Sequence, residues 1–171
     1  MAQLIKDGAI IENEWTRLNI EQIEESGIPA SGKIIVPLAT WQAQRNDLIT
    51  RGDVAVWLQA GEEPAAIADD LDKLPLIAIN FPIFRDGRGY SYARELRQRY
   101  DYKGEVRSIG DVLQDQLFYM WRCGFNAYEV RADRDINEAL AAMKGFSVTY
   151  QADVHEPTPI YRRRPDWRLE H

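Results

Sequence analysis

The densest run of groups able to do chemistry is Arg85-Asp86-Gly87-Arg88-Gly89-Tyr90-Ser91. It follows the apolar stretch Leu76-Ile77-Ala78-Ile79-Asn80-Phe81 and precedes Tyr92, Leu96 and Tyr100 at helical spacing. Two arginines can offer bidentate hydrogen bonds to sulfate, phosphate or carboxylate. Two glycines let backbone amides approach a ligand, and a helix starting near Ser91 would aim its unpaired N–H groups at the same space. The expectation is an anion-binding corner built from Arg85, Asp86, Gly87, Arg88, Gly89, Tyr90 and Ser91, with Arg107 joining from the next strand. The competing reading is a structural turn in which Asp86 accepts backbone amides and the arginines pair with nearby acids. A nucleotide fingerprint is absent, because position 92 is Tyr rather than a third glycine and no Gly-Lys-Ser/Thr occurs.

Asp111 and Asp115 are spaced four apart at the expected start of a helix, beside Gln116. Two carboxylates on one helix face could hold magnesium or act as an acid/base pair. The simpler expectation is an N-cap at Asp111 and a dipole partner at Asp115. Cys123 is the one cysteine, placed at a helix end that disfavours thiolate, and reads as a core residue. His155 lies in a proline-rich loop and reads as solvated. Tyr90, Tyr92, Tyr100, Tyr102 and Tyr119 could stack on a flat cofactor but fit a core better. Arg162-Arg163-Arg164 could touch an acidic partner, although a solvated tail is the commoner outcome. One cysteine and one native histidine offer no thiolate or histidine metal site, no metal site is assigned, and no cofactor is identified.

The elements that must position these groups read as an alternation. Strands are expected at 33–37, 54–58, 76–81, 104–109, 125–130 and 146–150, the last five alternating with four short helices. Thr40 is read as the cap of a further helix over 41–50, and Pro64 as the start of another. Asp111 with Gln114, and Asp135 with Glu138, read as capping boxes, and Gly124 and Gly145 as helix stops. Such an alternation predicts an α/β domain over 34–154, with a mostly parallel sheet of about five strands and βαβ crossovers. An open sandwich and a half-barrel both fit. Residues 1–33 read as an arm, with a hairpin signal around Asp7-Gly8 and an irregular stretch from Glu12 to Gly32. Residues 155–168 read as a tail, and Leu169-Glu170-His171 as the remnant of an affinity tag.

Composition is that of a globular chain of 171 residues with formal net charge −6. That charge gives no general attraction to nucleic acid. No apolar run is long enough to cross a bilayer and no signal peptide is read, so a cytoplasmic protein is expected. Homo-oligomerisation is left open.

The strings Phe84–Ser91, Leu96-Arg97, Gly104–Arg107, Gly110–Leu113 with Asp115-Gln116, and Arg122–Phe125 together resemble a bacterial family of unknown function. Its members carry an oxidoreductase label and are encoded beside the assimilatory sulfite reductase haemoprotein. The resemblance runs from about Val36 to the tail. It implies a role in sulfite reduction, as an accessory or docking protein of the haemoprotein or of its electron donor. The alternative it leaves is a small α/β oxidoreductase, or another enzyme acting on a phosphate-bearing substrate or cofactor. The family supplies no catalytic residues to carry over.

Overall fold

Apolar runs in this chain make one sheet whose two faces are covered differently. The computed structural model describes residues 2–83, 85–144, 153–155 and 157. Its strands are β1 (Gln3–Lys6), β2 (Ala9–Glu12), β3 (Thr16–Arg17), β4 (Ile34–Pro37), β5 (Val54–Leu58), β6 (Leu76–Phe81), β7 (Glu105–Gly110) and β8 (Ala127–Tyr128). They form a single eight-stranded sheet in the order β2-β1-β8-β7-β6-β5-β4-β3. Strands β3 to β8 are parallel to their neighbours, whereas β1 pairs antiparallel with both β2 and β8. The helices are α1 (Ile20–Ser26), α2 (Leu38–Ala43), α3 (Arg45–Leu48), α4 (Arg88–Gln98), α5 (Gln114–Cys123) and α6 (Ile136–Lys144), with a 3-10 turn over Pro64–Asp70.

The fold is α/β with a half-barrel sheet, and the sheet is larger than the expected five strands. The extra strands come from the first 17 residues. Asp7 and Gly8 both adopt positive φ, 49° and 79°, the geometry of a tight hairpin turn that joins β1 to β2. The expected irregular stretch after Glu12 instead holds β3 and α1, the helix capped by a reciprocal pair between Asn19 and Gln22. Periodicity misses β3 because two residues are too few to alternate. Two further boundaries differ. Pro37, with φ preset near the helical value, precedes α2, so Thr40 lies inside the helix rather than capping it. The strand expected over 125–130 shrinks to the two residues of β8. The expected strand over 146–150 and most of the tail lie outside the described residues.

Chain connectivity forces the curl. Laid flat, seven gaps of about 4.8 Å would hold the edge strands β2 and β3 about 34 Å apart. Only Asn13, Glu14 and Trp15 join them, a link that reaches at most about 14 Å. The outer face of the curled sheet packs Val36, Val56, Ile77, Ile79, Phe81 and Val106 against the helices. The inner face carries a smaller set, Ile35, Ala55, Leu76, Ala78 and Ile109, with Trp15 and Trp57 beside it.

One outer corner is closed by a buried acid. Asp70 accepts the Trp41 indole N–H at 2.8 Å and the Arg45 guanidinium at 2.9 Å. The Arg45 contact first, and the Trp41 contact second, hold its carboxyl below the usual aspartate value. A depressed folded pKa contributes stability above the unfolded value, about 3.9, and that contribution disappears as pH falls through the folded value. Asp70→Ala is expected to lower stability by about 1–3 kcal/mol at neutral pH, because the Trp41 N–H loses its acceptor. Urea denaturation of both proteins at pH 7 and near pH 3 should show the gap narrowing in acid.

Candidate functional site

Helix α4 begins three residues before Ser91, at Arg88, and this earlier start decides what the expected corner can do. Gly89, Tyr92, Ala93 and Leu96 recur at i, i+3, i+4 and i+7 and form its buried stripe. Gly89 is there for packing. A Cβ at that position would stand 2.7 Å from Phe81 Cζ and 2.9 Å from Ile79 Cγ2, so only glycine lets the helix lie this close to β6. Gly87 has φ −87°, which any residue adopts.

Two charges of the corner, Asp86 and Arg88, are paired with one another. Asp86 accepts the Arg88 backbone N–H at 3.1 Å and pairs with that guanidinium at 3.0 and 2.6 Å. The Arg88 contacts hold the Asp86 carboxyl below its usual value and raise the Arg88 pKa in return. This is the structural-turn arrangement for Asp86 and Arg88. Arg85 is exposed and makes no ion pair among the described residues, and Ser91 is exposed one turn into the helix. Tyr90 turns away, packing on Phe81 at 5.1 Å and Tyr119 at 4.8 Å between ring centres; burial pushes its hydroxyl up to about 12.

Arg107 does not join this corner. It pairs in register with Ala78 of the inner face, whereas Gly89 packs on Ile79 and Phe81 of the outer face, so the sheet lies between them. Its guanidinium, 1% exposed, bonds Glu105 at 2.7 Å, Asn13 at 3.0 Å and Glu129 at 3.2 Å. Period-two alternation along β7 could have signalled this, since Arg107 and Ile109 share one face and Val106 takes the other.

Asp111 and Asp115 do not share a helix face. Asp111 lies before α5, which starts at Gln114, and its carboxylate holds Arg131 at 2.8 Å. Asp115 is exposed on the first turn. The expected Asp111–Gln114 box is replaced by Gln116, whose side chain accepts the Leu113 N–H at 3.3 Å. Among the described residues no cluster of three or more His, Cys, Asp or Glu could hold a metal ion.

A family model described as bacterial protein of unknown function (DUF934) matches residues 55–161. The chain belongs to that family. No curated protein and no solved structure matches it. The matched region runs from the second residue of β5 and holds β6 to β8, α4 to α6 and the loop carrying Arg85, while β1 to β4 fall before it.

Several residues that carried the resemblance close the backbone. Arg97 donates to the carbonyls of Gly124 at 2.9 Å, Tyr102 at 2.7 Å and Gly104 at 2.8 Å. Gly124 ends α5 with φ 116°, which a side chain would resist. Cys123 is buried as expected, and burial raises its thiol pKa. His155 is exposed, as expected, and its ring also stacks on Trp121 at 4.0 Å, with Nε2 2.7 Å from the Trp121 carbonyl. No helix among the described residues is long and apolar enough to cross a membrane.

Two outcomes follow for this region. Gly89→Ala should destabilise the fold by about 1–3 kcal/mol through overpacking against Phe81, measurable as a lower denaturation midpoint. Cys123 should react with a thiol reagent only as fast as the protein opens, and at the rate of a free thiol in denaturant.

Proposed function

We propose that this protein is an accessory factor that docks onto a partner through the β6–α4 loop. The partner we propose is the sulfite reductase haemoprotein of assimilatory sulfite reduction, or the electron donor of that enzyme. One observation carries the docking reading. Ile83, 60% exposed, has the largest exposure of any large apolar side chain among the described residues, and it sits in the loop that carries Arg85 and leads into Arg88 at the start of α4. Seating an isoleucine in a partner pocket contributes about 1.5–3 kcal/mol. Arginine is over-represented among side chains that dominate interfaces. Asp86 already immobilises Arg88, which lowers the entropy lost on docking, and Pro82 stiffens the loop entry. Arg85 supplies a cation for an acidic patch. The sulfite-reduction side of the proposal rests on the sequence resemblance.

The alternative, a small α/β enzyme acting on a phosphate-bearing substrate or cofactor, draws less support. Arg131 already neutralises Asp111, and Asp115 stands apart from it on α5.

Binding of the full chain to purified haemoprotein, and separately to its electron donor, tests the proposal by biolayer interferometry. Ile83→Asp and Arg85→Glu should each weaken binding about tenfold or more, equivalent to about 1.4 kcal/mol per decade. Parent protein that binds neither candidate removes the proposed partners. Equal affinity in parent and both variants removes the proposed surface.

A further inference from the structure

The mouth of the half-barrel, at the carboxyl ends of its parallel strands, holds a cavity of about 380 Å³. Arg17 leaves β3 into it, Trp57 of β5 and Asn80 of β6 form its sides, and Ile109 of β7 contributes an apolar surface. In parallel α/β sheets this end of the strands is where loops and strand termini build ligand sites. The volume falls at the small end of the range for ligand pockets.

A line of charges runs along the inner face to this mouth. Lys6 pairs with Glu105 at 2.8 Å, Glu105 with Arg107 at 2.7 Å, Arg107 with Glu129 at 3.2 Å, and Glu129 stands 3.6 Å from Arg17. The line alternates in sign and has a cation at each end, so its three cations outnumber its two carboxylates. Arg17 is the member at the mouth. Its side chain is 42% exposed, and 3.6 Å is beyond hydrogen-bond reach of Glu129. A guanidinium has five N–H donors in a planar fork. Arg107 and Asn13 anchor Glu129 through Oε1, and Oε2 faces Arg17 at 3.6 Å without a hydrogen bond, so an incoming anion competes only with that longer contact.

The side-chain acceptors at the mouth are largely spent, which leaves mostly donors facing it. Asn19 and Gln22 each accept the other's backbone N–H through the side-chain oxygen, so what their amides still present is N–H, and the Trp57 indole N–H donates to the Leu18 carbonyl at 3.0 Å. That bond fixes the indole as a flat wall. Asn80 gives one amide N–H to Gln59 at 2.8 Å and keeps a second for a ligand. A guanidinium with N–H groups to spare, amide N–H donors and an aromatic wall fit a small anion.

We propose that this mouth is a binding site for a small carboxylate or oxyanion, held by the Arg17 guanidinium with Asn80 as second donor and Trp57 as wall. It is separate from the docking loop and stands or falls without it. Sulfate and malonate are suitable probes, because both present paired oxygens to a guanidinium. Each is titrated into the isotopically labelled full chain against chloride at matched ionic strength. The readout is the Trp57 indole N–H resonance, identified by its disappearance in Trp57→Phe. Saturable movement of that resonance is expected with at least one probe. Arg17→Gln should weaken the binding about tenfold or more, and Arg88→Gln should leave it unchanged. Where Arg17→Gln does not fold, Asn80→Leu takes its place and should weaken binding severalfold. No saturable movement up to about 10 mM of either probe overturns the proposal. So does undiminished affinity in Arg17→Gln, or in Asn80→Leu where it stands in. Loss of binding in Arg88→Gln with none in Arg17→Gln would move the anion site to the β6–α4 loop.

Discussion

A guanidinium buried on the inner face of a curled sheet governs this molecule. Arg107 is almost fully enclosed, and it can be so only because Glu105, Glu129 and Asn13 meet it there. Those partners come from its own strand, from the end of β8 and from the link between the two sheet edges. A buried ion pair adds little net stability over an apolar filling, yet removing one partner costs about 3–5 kcal/mol. The network therefore favours the one curvature that keeps every charge matched. Arg17 tells the same story. It sits on the far edge strand, five strands from β8, and reaches Glu129 only because the sheet has closed most of the way round.

The curl divides the protein into two surfaces with different chemistry. Outside, the larger core lies between sheet and helices, and glycine and arginine serve close packing. Gly89 lets α4 approach β6, and Arg97 gathers three carbonyls at the meeting of α4, α5 and β7. Inside, a few apolar side chains share the lumen with a line of charges that opens at the strand ends. The β6–α4 loop stands on the outer rim and exposes Ile83 beside two arginines.

Much of the fold could be read from the chain. The apolar runs at β5 and β6, the Asp7-Gly8 hairpin, the stop at Gly124 and the burial of Cys123 all follow from short-range rules of propensity, period and turn geometry. Such rules act over a few residues, and the residues themselves carry the signal. The anion corner was legible as chemistry but not as geometry. Two glycines, two arginines and an aspartate fit a ligand site and a self-satisfied turn equally well until Asp86 is seen closing on Arg88. Asp111 leaves the expected helix face because the start of α5 lies two residues later than its capping pattern suggests, and element boundaries are the least determined feature of a pattern.

What the chain determined by itself was its class: alternating strands and helices, a parallel sheet, helices with recognisable stops. What only the tertiary structure decided was which distant residues meet. Asn13 and Arg107 lie 94 positions apart, and no local periodicity couples them. Their meeting requires a three-residue link between edge strands, and that link shapes the lumen only once every strand has taken its place. Charge pairing across a curled sheet belongs to the closed shape, so the mouth at Arg17 came into view only with it.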